Sequence, residues 1–223
     1  MADTVAGATA PGPLDNDAHN HAIEQASMRG AYWTGSRLFV ALSAMLFASG
    51  AFAYFYLHGL DSQGMWRTDG QQPSDYVSIP VLFLTLAGAA LFWWYTRGLL
   101  HGGVGSSDWL VATGVATGAF LLAGVIQLVG MTRTGFYPSS SGYASTYVAI
   151  MPVFAVYCLG TAYWLETLFA RALRVRRVLS EEQPGRDSLE RTMFLGSAVG
   201  AKAFVVFVAL VSVLVFVLFS VLS

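Results

Sequence analysis

Apolar residues fall into five long runs, at about 38–57, 78–95, 109–129, 142–170 and 198–222, separated by short polar stretches. A helix needs about 20 mostly apolar residues to cross the hydrocarbon of a bilayer, and each run is close to that length or longer. None alternates apolar and polar positions as a half-buried strand does, and backbone in lipid must satisfy its own hydrogen bonds. The pattern therefore predicts an all-α integral membrane protein with five transmembrane helices, occupying 36–223 behind a tail of 1–35. The tail mixes Ala, Gly, Pro, Asp, Asn and His without apolar periodicity and reads as partly disordered, with an interfacial helix from Asn20 to Arg37.

Breaks in the apolar pattern are few. Pro80 falls in the first turn of the second run, where a missing N–H costs little. Pro152 stands well inside the fourth, frees the Val148 carbonyl and predicts a helix kink. Gln127 is the one strongly polar side chain of the third run. Gly114 and Gly118 have the spacing that lets membrane helices approach closely. Aromatic belts, Phe52 to Tyr56 and Phe92 to Tyr95, mark the ends of the first two runs.

Charge changes the picture by where it lies. Only 11% of residues are charged and the net charge is −1, which leaves no electrostatic footprint for nucleic acid. The basic residues are eleven arginines and Lys202, and six of the arginines crowd between the fourth and fifth runs. Short connections rich in Arg and Lys stay in the cytoplasm. The amino terminus is thus expected to be cytoplasmic and the carboxy terminus outside, with ten basic residues inside and Arg67 and Arg133 outside. Glu166 is the one acid within a run. Ala155, Leu159, Ala162 and Glu166 share a helix face, and Lys202 enters the membrane from the same side. A structural ion pair between Glu166 and Lys202 is expected.

The chemistry on offer is narrow. Intramembrane haem or copper requires ligands such as histidine inside the spans. His58 and His101 stand at span ends, while His19 and His21 are in the tail. A lone Cys158 excludes an internal disulfide, and the glycines after His101 follow no strand and make no phosphate loop. No catalytic, cofactor-binding or metal-binding residue is expected in this chain. A small transporter would need polar residues along a mid-membrane path or an internal repeat, and neither is visible.

Three stretches resemble subunit III of the haem–copper (cytochrome c) oxidases in its short five-helix form. Leu42 to Phe55, LSAMLFASGAFAYF, is similar to the family's Ser-Glu-x-Met-Phe-Phe-x-Gly-Leu-Phe-x-x-Tyr-Phe opening. Phe136 to Ala149, FYPSSSGYASTYVA, is similar to its Pro-x-Ser-x-Tyr-Gly-Ser-x-Phe-Phe entry into the penultimate helix. An aromatic-aliphatic final helix ends almost at the carboxy terminus. Ala44 stands where the family has a membrane glutamate, and no histidine lies around Met151 to Val156, so the resemblance is to a divergent member. It implies a non-catalytic, multi-pass subunit of a respiratory terminal oxidase in a bacterial inner membrane. Such a subunit binds phospholipid and stabilises catalytic subunits I and II, which carry the haem and copper. The alternatives are an accessory subunit of another respiratory or metal-dependent membrane enzyme, or a small transporter.

Overall fold

A computed structural model of the chain describes residues 13–61, 66–67, 71, 73–100, 107–135, 137–179 and 186–222. They form α1 (Pro13–Gly59), α2 (Asp75–Leu100), α3 (Ser107–Arg133), α4 (Gly142–Leu179) and α5 (Arg186–Phe216), with α5 running on into a π-helical turn, Val217–Val221. No strand occurs among the described residues. Each helix contains an apolar segment of 25 to 33 residues, which at 1.5 Å per residue outreaches a hydrocarbon core of about 30 Å. The expectation of an all-α, five-span, multi-pass membrane protein holds.

Boundaries differ from the sequence expectation at the polar ends. The tail is helical from Pro13 onward, so the boundary expected at 35 falls inside a continuous helix. Residues 1–12 lie outside the described residues. Proline suits the first helical position because the N–H it lacks would have no helical partner there. Arg171 to Arg177, expected in a loop, instead continue α4 across the end of its apolar segment at Arg174. Pro152 sits within an α4 that runs unbroken from Gly142 to Leu179.

The helices α2, α3, α4 and α5 pack in a ring, each against the next, and α1 lies in the outer groove between α4 and α5. Exposure follows this order. Only 17% of the apolar window of α1 is buried within the chain, against 50% for α5. Rings from three helices fill the α1 seam. Phe39 lies 5.2 Å from Phe204, Phe47 lies 5.1 Å from Tyr157, and Trp164 lies 5.5 Å from Phe204. The outer face of α1, with Leu42, Met45 and Phe52, is exposed.

Close approach of α3 and α4 occurs at Gly124. A Cβ there would come within 2.8 Å of Leu159 and 3.3 Å of the Ala155 carbonyl. The Gly114/Gly118 spacing does not serve this purpose. Gly114 has one ring atom of Phe169 at 3.9 Å, and Gly118 has nothing within 4 Å. Hydroxyls inside the spans bond back to their own helix, as Thr113 does to the Trp109 carbonyl (2.8 Å) and Thr161 to that of Tyr157 (2.7 Å). With no water available, the nearest acceptor is the carbonyl a turn earlier.

Gly124→Val is expected to destabilise the bundle by about 1–3 kcal/mol through overpacking, whereas Gly118→Val should stay within about 0.5 kcal/mol. Unfolding of both variants in mixed detergent micelles checks the contrast.

Candidate functional site

Three polar features interrupt the apolar interior. The first lies where α1 ends, α4 begins and the π-turn closes the chain. Tyr54 meets Trp66 edge-on at 5.1 Å and Phe219 at 5.4 Å, while Tyr143 meets Phe219 at 5.6 Å. Such edge-to-face contacts match ring edges to ring faces. Trp66 is held by its own backbone. Its N–H donates to Asp61 Oδ2 (2.8 Å), and its carbonyl accepts from the Tyr143 N–H (3.1 Å). Gly142 leaves room for the Trp66 ring, which a Cβ would meet at 2.9 Å. The Tyr143 hydroxyl donates to the Phe219 carbonyl (2.8 Å), one of the groups that a helix end leaves without a helical partner.

The second feature is the centre of the four-helix ring, toward this same face. Gln127, Tyr147, Ser212 and Ser220 line a cavity of about 20 Å³ together with Val77, Val81 and Met151. Gln127 is 3% exposed and is a hydrogen-bond neighbour of Tyr147, while Gln127 Nε2 and Ser220 Oγ have no protein partner. A space of that size with polar walls holds one water molecule. Nearby, Thr85 on α2 donates to Ser212 on α5 at 2.8 Å, and Ser212 donates to the Ala209 carbonyl. This cavity is too small for a substrate.

The third feature is cationic. Lys202 Nζ lies 4.8 Å from the centre of the Trp93 ring, and the Arg97 guanidinium lies 5.6 Å from the same ring. Both distances fall within the range of a cation–π contact. Arg97 follows Trp93 by one helical turn, a spacing at which helix side chains meet. Arg37 repeats it over Trp33, at 3.5 Å. Trp93 also forms the end wall of an apolar groove of about 440 Å³ between α2 and α5.

The structure does not bring the expected ion pair together. Glu166 is exposed on α4, and Lys202 turns to Trp93 on α2. Among the described residues no ion pair joins them. Rotation about each helix axis decides which way a side chain faces. Ala155 and Ala162 are buried while Glu166 is not, because at this end of α4 the buried face is carried by Leu165, Leu168 and Ala172. The residue that sequence reasoning missed is Trp93, and the Trp93/Arg97 spacing was its signal.

Among the described residues, no three of His, Cys, Asp and Glu gather closely enough to hold a metal ion. Cys158 is fully buried in α4. Compared with models of known protein families and with curated proteins, the chain matches none.

Tyr143→Phe removes the donor to the buried Phe219 carbonyl and is expected to cost about 1 kcal/mol, read as a lower unfolding midpoint. Glu166→Gln, at an exposed and unpaired site, should change stability by less than about 0.5 kcal/mol.

Proposed function

We propose that this protein is a non-catalytic, subunit III-like component of a respiratory terminal oxidase in a bacterial inner membrane. It packs against the haem- and copper-bearing subunits and carries phospholipid. One observation supports this above others. The three stretches on which the resemblance rests converge in space, since Tyr54 of the first packs on Phe219 of the last, as does Tyr143 of the second. A chance likeness among apolar helices has no reason to concentrate at one three-way contact. The exposed apolar face of α1 suits a partner subunit or lipid equally well, and in this reading it takes both.

The chain's own part is structural. It supplies a rigid apolar wall, pinned across helices by the Tyr143–Phe219, Tyr157–Ser43 and Thr85–Ser212 hydrogen bonds. Haem, copper and the reduction of oxygen belong to the partners. Affinity purification of the tagged chain from its native membrane in mild detergent should bring down subunits that carry haem and copper. A stable preparation of the chain alone, with no redox spectrum, would count against the proposal.

The arginine-rich connection supports a cytoplasmic amino terminus. Because Cys158 is buried, a cysteine introduced at Ser223 should be the residue labelled by a membrane-impermeant maleimide on intact cells. One introduced at Thr4 should react only after lysis. The reverse pattern would invert the topology.

A further inference from the structure

Hydroxyls inside these spans share one habit. Thr85, Thr113, Thr117, Thr161 and Ser212 each donate to a carbonyl three or four residues earlier in their own helix, the nearest acceptor where water is scarce. Ser220 breaks the habit. It lies in the π-turn Val217–Val221, where the backbone bond spans five residues, from the Leu222 N–H to the Val217 carbonyl. Its buried Oγ has no partner among the described residues.

Gln127 is the second exception. Its side chain is 3% exposed, and its Nε2 is likewise buried without a partner among the described residues. An amide N–H left unbonded in an apolar interior is costly. Both orphaned groups border the same cavity of about 20 Å³, as does Tyr147. The ring of helices explains why they meet there. α3 packs on α2 and α4, and α5 packs on the same two from the opposite side. Gln127 and the π-turn therefore face each other across the centre of the bundle, with the cavity between them.

We propose that this cavity is the binding site of one resident water, which accepts from Gln127 Nε2, bonds Ser220 Oγ and so ties α3 to the π-turn of α5. Chemistry selects the occupant. No charged side chain borders the cavity, so an anion would find no countercharge. A hard cation wants a shell of oxygens and would meet an amide N–H. The space is far below that of an organic ligand's pocket. Water is neutral, both donates and accepts, and needs two to four polar partners. The two orphaned groups meet that need, with the Tyr147 hydroxyl beside them. The π-turn thus has a local use: Ser220 serves the cavity instead of its own helix. This site stands whether or not the chain joins an oxidase.

The full-length chain in detergent micelles provides the test. Brief X-ray radiolysis converts a bound water into hydroxyl radicals, which oxidise the side chains that touch it. Met151 borders the cavity and is 4% exposed, so radicals from bulk solvent do not reach it. Met151 should be oxidised in wild type. Gln127→Leu, which fills the space with apolar atoms, should lower that oxidation severalfold, and Ser220→Ala should lower it less. Fully buried Cys158, if still closed to maleimide, reports that each variant is folded. Unfolding midpoints give a second readout. Either substitution breaks the same link, so the double variant should unfold at the midpoint of Gln127→Leu alone. Met151 unoxidised in wild type, equal oxidation in Gln127→Leu, or midpoint losses that simply add would overturn the site. If Gln127→Leu exposes Cys158, Ser220→Ala decides alone, and an unchanged Met151 signal would overturn the site.

Discussion

Lipid tails are as apolar as leucine, so nothing drives these five helices together by releasing water from between them. What holds them is contact at short range, and the structure is arranged around the few places where that is achieved. Gly124 lets α3 and α4 approach until a Cβ would collide with Leu159. Thr85, Tyr143 and Tyr157 reach across to other helices with hydroxyls that have no water to bond. Each such bond is worth only about 1 kcal/mol in membranes, so it fixes rotation and register more than it adds stability.

The same constraint explains why α5 is central. It touches α1, α2 and α4 and is the most enclosed span. Its far end is also where regular α-geometry gives way. The π-turn Val217–Val221 closes with the Leu222 N–H donating to the Val217 carbonyl at 2.9 Å. Local widening of this kind is often found where a helix must redirect its groups. Here it accompanies a Phe219 carbonyl that Tyr143 satisfies and a Ser220 hydroxyl on the wall of the central cavity. The end of α1 and the start of α4 meet α5 here, through Tyr54 and Tyr143 on Phe219.

Charge is placed with the opposite logic. The arginines after Glu166 stay beyond the apolar segments or near their ends, so the bilayer excludes them at little cost. Lys202 is the exception. It stands farther into its apolar segment, with its ammonium over the Trp93 ring at the end of an apolar groove.

The sequence by itself determined the fold class, the number of spans and, within several residues, their limits. Those properties depend on the length and polarity of each run, which are local. It also marked Gln127 as unusual. It did not show which way Glu166 and Lys202 face, for a physical reason. Spacing along a helix says which residues lie on one face, but only packing says which face turns inward. Ala155 and Ala162 are buried and Glu166 is not, although the three lie on one stripe. Lys202 lies at a depth that the sequence could anticipate, in a direction that the tertiary structure alone decided. The ring of α2 to α5 places Trp93, rather than α4, in front of it.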